Sequence, residues 1–229
     1  MDLQRIGDLL QPFLISNVAR VSPSKAGFGA ESASLNKEQL QQLSNYLDLL
    51  LRWNARINLT AVRRPEEIVT RHFGESLFAA RHLFPSQTEA EVRTRVIDFG
   101  SGAGFPGLPI KIWAPEVELT LIESNQKKAT FLREMIRKLD LQAASVFSGR
   151  AENFGGQANT VTLRAVEQFE DSLSTAARLV TSNGRLALLI GESQIKRAGE
   201  VATQFNWRDP IRIPQSSSRM LVVGTAAPE

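Results

Sequence analysis

Between Val96 and Gly107 the chain reads Val-Ile-Asp-Phe-Gly-Ser-Gly-Ala-Gly-Phe-Pro-Gly, an apolar run that reaches an acid, Asp98, and then turns glycine-dense. Glycine tolerates positive φ and lets a ligand approach the main chain closely, so Gly100, Gly102 and Gly104 suit the rim of a nucleotide pocket, with Asp98 expected among the cofactor contacts. A second acid, Glu123, closes the next apolar run, Leu119-Thr120-Leu121-Ile122. The order strand, glycine turn, helix, strand, acid sets Glu123 beside the turn, where its carboxylate can accept from both hydroxyls of a ribose. An adenosine-containing cofactor is the expected ligand.

Two cofactor classes fit that pattern. Gly102, Gly104 and Gly107 match the GxGxxG spacing of dinucleotide oxidoreductases, in which a helix start holds a pyrophosphate. Here Pro106 and Pro109 crowd the same turn and withdraw backbone N–H donors. S-adenosyl-L-methionine carries no phosphate and loses little by this. The nicotinamide alternative also lacks a Tyr/Lys or His/Asp hydride-transfer set, the single tyrosine being Tyr46 in an N-terminal helix.

The elements that must position these groups are legible in the periodicity. Ile6, Leu9, Leu10 and Phe13 suggest a short first helix over 1–15, broken or bent at Pro12, and the Ser/Ala/Gly-rich stretch 16–34 reads as a flexible linker. Asn36, with Gln39 at the capping-box position, opens a helix whose Leu40, Leu43, Leu47, Leu50 and Leu51 line one face. Pro65-Glu66-Glu67 starts another, which continues to Pro85. Beyond it, strands are expected at 95–98, 117–123, 143–147, 159–163 and 185–190. Helices intervene, one through Phe131 to Leu139, one through Leu173 to Val180 and one near 193–204; Asn183-Gly184 reads as a turn. Ile211–Ile213 and Met220–Val223 are too close for a parallel crossover and must pair antiparallel. The expectation is an α/β class I S-adenosylmethionine-dependent methyltransferase (Rossmann-like) sheet ending in an antiparallel hairpin. It divides into an extension and linker at 1–35, a helical subdomain at 36–90 and the sheet domain at 91–229.

Composition narrows the chemistry. A chain of 229 residues without cysteine has no disulfide framework, no cysteine nucleophile and no thiolate zinc site, and no metal ligand set is expected. That usage fits a reducing cytoplasm. No run approaches a membrane span, and the first ten residues do not read as a signal peptide. The net charge is +3. Arg63-Arg64, Lys127-Lys128 and Arg137-Lys138 read as solvated helix faces unless the fold gathers them on one side.

Gly100-Ser101-Gly102-Ala103-Gly104-Phe105-Pro106-Gly107-Leu108-Pro109 resembles the signature of the ribosomal small-subunit methyltransferase G family, also called glucose-inhibited division protein B. The likeness continues through Asn58–Ala61, Arg71–Leu77, Lys127–Arg133, Gly149–Glu152 and Arg164-Ala165, over about residues 36–225. It implies methyl transfer from S-adenosyl-L-methionine to N7 of a guanine of 16S rRNA, in a loop near the decoding centre, by a cytoplasmic monomer whose partner is 16S rRNA or the small ribosomal subunit. It also implies that Gly100 and Phe105 line the cofactor site and that Gly102 and Gly104 shape it. Ala151 and Glu152 would meet the adenine end. Arg164 would face cofactor and base, and Arg150 and Arg219 would serve activity or RNA contact. Glu75 stands where the family usually has aspartate. Leu163 stands where it usually has serine, which removes a hydroxyl from the pocket edge.

Guanine N7 already exposes a lone pair, so no proton must leave before attack, and orientation matters more than a general base. His72 and His82 are accordingly expected to be structural or exposed, and Arg164 to orient guanine through O6. Arg63, Arg64, Lys127, Lys128, Arg150 and Arg219 are candidate phosphate contacts. The alternatives are a methyltransferase acting on a small molecule or protein, and a catalytically silent RNA-binding assembly factor.

Overall fold

The computed structural model describes residues 1–15, 34–85 and 94–228; the expected linker and the 90/91 boundary fall outside them. The described residues form an eight-stranded sheet: β1 (Arg95–Phe99), β2 (Glu118–Glu123), β3 (Ala144–Ser148), β4 (Ala158–Arg164), β5 (Val180–Gly191), β6 (Phe205–Trp207), β7 (Ile211–Arg212) and β8 (Arg219–Ala226). Their order is β3-β2-β1-β4-β5-β8-β6, with β7 on β8. The first five run parallel, and β8 enters antiparallel between β5 and β6. The strand order reverses at β1 between β2 and β4, the crevice in which open α/β sheets bind ligands.

The helices divide by face. α1 (Leu3–Leu14), α2 (Lys37–Asn54), α3 (Pro65–Ile68), α4 (Glu75–Leu83), α5 (Gly107–Trp113) and α6 (Gln126–Lys138) share one buried core with Val96, Leu119 and Leu121. α7 (Phe169–Arg178) and α8 (Ile195–Val201) bury Leu173 and Ala198 with the alternate strand residues Ile97, Phe99 and Leu163. The period-2 alternation of strands splits these two sets. Because Ile6, Leu10 and Phe13 lie in the first core, α1 is packed into the body of the fold.

The capping box at the start of α2 is present: Gln39 N–H donates to Asn36 Oδ1, and Asn36 N–H to Gln39 Oε1. α1 runs through Pro12 without a break, since a proline this near the C-terminus forfeits only one helical hydrogen bond. Residues 65–83 are not one regular helix. A π-helical turn, Val69–Gly74, joins α3 to α4, and Gly74 faces the Phe13 ring so closely that a Cβ would lie 2.6 Å from it. Asn183-Gly184 lies inside β5 rather than in a connecting turn. Asn183 takes φ +59° while the pairing with β4 shifts register, so the pair makes a bulge, and Val180 starts the strand instead of ending α7. The helix near 193–204 resolves into a 3₁₀ turn, Glu192–Gln194, and α8. β6 was not legible, being three residues long.

Candidate functional site

The carboxyl edge of the parallel strands opens into a cavity of about 480 Å³, lined from the β1–α5 turn, the end of β2, the α2–α3 loop, the π-turn, the end of β4 and the start of β8. The turn is built on positive φ at Gly100, Gly102 and Gly104 (64°, 57° and 93°). Gly104 has a second constraint, because a Cβ there would stand 2.6 Å from the Tyr46 hydroxyl. That hydroxyl donates to Ala103 O at 2.5 Å, and the Tyr46 ring stacks on Phe105 with centroids 5.3 Å apart. Burial pushes the phenol well above its ordinary pKa, so it remains a donor. Helix α2 thus fixes the turn from behind.

Glu123 takes the place expected of it. Its carboxylate accepts from Gly102 N–H at 2.9 Å and from Asn125 N–H at 2.7 Å, and it lines the cavity with lone pairs to spare. Three more turn amides are committed: Ser101 N–H to Ile122 O, and Gly104 and Phe105 N–H to Ser101 O. A pyrophosphate would meet a carboxylate and no row of free donors, whereas an uncharged ribose meets acceptors for its hydroxyls.

Asp98 does not line this cavity. On β1 it shares the face of Val96 and is fully buried beneath the start of α5, where Thr162 Oγ1 donates to its Oδ1 at 2.8 Å. Burial raises its pKa to about 6, against the pull of the hydroxyls of Thr162 and Ser101. Gly100, Gly102, Phe105, Glu123, Arg164 and Arg219 line the cavity, while Gly104 stands behind it. Ala151 and Glu152 form a 3₁₀ turn after β3 and line a separate cavity with Phe154 and Arg178, not the one at the glycine turn. Arg150 is exposed beside them.

The other end holds a buried network. Arg164, its side chain 6% exposed, donates from Nη2 to Glu75 Oε2 at 2.8 Å and to Arg71 O at 2.7 Å, and the same nitrogen lies 3.2 Å from His72 Nδ1. Its Nε has no protein partner. Burial lowers its pKa and Glu75 opposes that. Nη2 is thus engaged with protein, while Arg164 itself lines the cavity. Leu163 points the other way, fully buried in the second core, because neighbouring strand residues face opposite sides; the pocket edge gains or loses nothing from it.

His72, expected to be structural or exposed, is structural and also stands at the site. It lines the cavity, stacks on Phe105 with centroids 4.8 Å apart, and meets Thr60 Oγ1 through Nε2 at 2.7 Å. Burial, then Arg164, Arg71 and Arg219, hold its pKa at about 3. The wide π-turn puts Arg71 and His72 where a regular helix would not, a distortion frequent at functional sites. Thr60 was missed as well. Asn54 fixes its loop, accepting from Leu59 and Thr60 N–H at Oδ1 while Nδ2 donates to Thr60 O. Arg71-His72 within the quoted motif was the available signal. His82 is remote from the cavity, its Nδ1 2.8 Å from Phe78 O.

The topology gathers part of the basic set. Lys127 and Lys128 follow β2, Arg150 follows β3, Arg164 ends β4, and Arg219 pairs with Gly191 at the end of β5, all at the carboxyl edge of the sheet, and Lys128, Arg164 and Arg219 line the cavity. Arg137 and Lys138 end α6 at the opposite edge. Arg63 bonds Asn54 O and Asn58 Oδ1, and Arg64 pairs with Glu67 at 3.7 Å in solvent. Among the described residues no group of three His, Cys, Asp or Glu side chains could hold a metal, and no helix is long and apolar enough to cross a membrane.

Residues 39–212 match the model of a family described as rRNA small subunit methyltransferase G. The chain is similar to the ribosomal RNA small subunit methyltransferase G of Roseiflexus sp. (strain RS-1), 38% identical over 82% of this chain and 84% of that one. It is 36% identical to the protein of the same name from Xanthomonas campestris pv. campestris (strain B100), over 85% and 91% of the two chains. Among solved structures the fold is similar to TYW2 of P. horikoshii in complex with MeSAdo, with TM-score 0.54, 15% identity and 68% and 62% coverage. It is also similar to a predicted O-methyltransferase of Agrobacterium tumefaciens, with TM-score 0.54, 20% identity and 66% and 80% coverage.

Proposed function

The chain belongs to the rRNA small subunit methyltransferase G family, and from that premise we propose that it transfers a methyl group from S-adenosyl-L-methionine to N7 of a guanine in 16S rRNA, acting on naked RNA or the small ribosomal subunit. The observation that carries this reading is the two-ended cavity. One end offers the glycine turn and the Glu123 carboxylate, and the other offers Arg164, Arg219, His72 and Thr60. Membership favours rRNA as acceptor over a small molecule or a protein. The built pocket disfavours a catalytically silent assembly factor.

The residues fit this cofactor. Glu123 has acceptor capacity for two ribose hydroxyls after its two backbone bonds, Gly100, Gly102 and Phe105 form the floor, and the turn has no free amide row that would call for phosphate. When bound, the sulfonium supplies an electrophilic methyl carbon. The chain's part is to hold the purine edge in line with that carbon and keep the site dry, which proximity rewards strongly. No general base is required, and His72 at the acceptor end is held neutral with both ring nitrogens in contact with neighbours. Lys127, Lys128, Arg150 and Arg219 make the RNA rim, with Ala151 and Glu152 beside it. Each chain carries a whole cavity, which supports action as a monomer, and an rRNA substrate supports a cytoplasmic location.

The test is to map N7-methylguanine in 16S rRNA from cells with and without the protein, and to measure methyl incorporation into small subunits in vitro. One modified guanine that disappears with the protein is expected. An unchanged map, with no incorporation in vitro, refutes the assignment.

A further inference from the structure

We propose that the imidazole of His72 is the platform on which the target guanine stacks, and that its open ring face stabilises the positive charge the base acquires, an inference that rests on the guanine-methylating reading above. The ring is held at both nitrogens and on one face. Nδ1 lies 3.2 Å from Arg164 Nη2 and Nε2 lies 2.7 Å from Thr60 Oγ1, so both polar edges meet protein. One face rests on Phe105, with centroids 4.8 Å apart and planes inclined by 28°. Phe105 is backed in turn by Tyr46, at 5.3 Å and 7°, whose hydroxyl is tied to Ala103 O. What the half-buried His72 adds to the cavity lining is therefore its opposite face, the open end of a column of three rings. Either tautomer of a neutral imidazole presents that same face.

An unpaired purine offers a flat surface that suits such a column, and bases taken out of a stack are received by aromatic or apolar side chains. The platform stands where the base must be. Glu123, the ribose acceptor, ends β2, whereas Arg164, which touches His72, ends β4, two strand spacings or about 10 Å across the sheet. The glycine turn after β1 lies between them, and in-line transfer requires the base on the far side of the methyl carbon from the sulfur. N7 gives its lone pair to that carbon as the carbon–sulfur bond breaks, and the base ends positively charged. The face of a neutral aromatic ring attracts a cation, whereas an imidazolium would repel it. Burial, then the guanidiniums of Arg164, Arg71 and Arg219, keep His72 unprotonated. The arginines crowded around a reaction that makes a cation thus hold its platform neutral.

The experiment uses the full chain with S-adenosyl-L-methionine and small subunits. His72→Leu and His72→Phe both lose the contacts to Arg164 and Thr60, and only the second keeps a π-face. kcat/KM for His72→Phe is expected to exceed that for His72→Leu by about tenfold or more, the scale of one base stacked on an aromatic ring. Replacing the phenylalanine of His72→Phe by its mono-, di- and trifluorinated analogues keeps the shape and drains negative charge from the ring face. The single-turnover rate should then fall stepwise, by about threefold or more across the series, which a merely structural ring would not do. S-adenosylhomocysteine affinity by calorimetry should stay within about twofold throughout that series, which decides the matter if His72→Leu fails to fold. Equal kcat/KM in folded His72→Leu and His72→Phe, a flat rate across the fluorinated series, or a loss of S-adenosylhomocysteine affinity that parallels the rate would each overturn the inference, the last by putting the ring against the cofactor. Inactivity of the wild-type protein on small subunits would instead refute the functional reading beneath it.

Discussion

The Arg164–Glu75 pair should couple the fold to the site in a measurable way. Its side chains are 6% and 5% exposed and the N···O distance is 2.8 Å, so neither charge has water to fall back on. Glu75→Gln keeps the shape and one acceptor oxygen but leaves the guanidinium uncompensated. Losing one partner of a buried pair costs about 3–5 kcal/mol. In a chain of this size each kcal/mol moves Tm by roughly 2–4 °C, which gives a drop of about 6–20 °C. Arg164→Met strands the carboxylate and should cost about as much, yet S-adenosylhomocysteine should still bind, because Glu123 and the glycine turn are untouched. The double variant Glu75→Gln/Arg164→Met leaves no orphaned charge and should recover roughly 1–3 kcal/mol relative to the sum of the singles. Urea melts at constant m-value read all three. Strictly additive losses, or a Glu75→Gln change under about 0.5 kcal/mol, would show that the pair is not energetically closed and that the burial argument fails.

Other outcomes can be read the same way. Glu123→Gln places an amide N–H₂ against the Gly102 or Asn125 amide and weakens the ribose contacts, so S-adenosylhomocysteine affinity should fall about 30-fold or more by calorimetry; a change under threefold would contradict the ribose assignment. Gly74→Ala drives a methyl into the Phe13 ring and should cost about 1–3 kcal/mol in a denaturant melt, whereas unaltered stability would mean that α1 does not press on the π-turn. Two buried groups set opposing pH slopes. Asp98, raised to about 6, favours the folded state while protonated, a contribution present below its unfolded value of 3.8 and lost as pH rises through 6. His72, lowered to about 3, favours the folded state while neutral, a contribution present above 6.5 and lost as pH falls toward 3. Over pH 4–6 they offset, so His72→Phe should make stability fall with rising pH there and Asp98→Asn should make it rise; parallel profiles for both variants would refute the linkage.

The sheet was legible because its expected strands are largely apolar runs of four to seven residues, and the glycine turn because glycine at 100, 102 and 104 readily supplies positive φ at alternate positions. Glu123 was legible for the same reason, since strand length alone sets it level with the turn. What escaped depends on contacts between distant segments. Nothing local in Val69–Gly74 marks a π-turn, and it is that turn which brings His72 to the cavity. Thr60 looked like a loop residue until Asn54, six positions earlier, was seen to hold its backbone. Asp98 shows the converse. Its position in the motif suggested a ligand contact, but strand alternation turned it inward under α5.

Tyr46 belongs to α2 and to the glycine turn at once, with one end of its ring among the apolar side chains that also enclose α1 and its hydroxyl on the Ala103 carbonyl. The amino-terminal helices and the nucleoside floor are therefore inherited as a single piece. A chimera that grafts residues 1–83 from a distant relative would have to bring its own anchor for that carbonyl, and domain shuffling across this seam would dismantle the pocket even with every strand left intact.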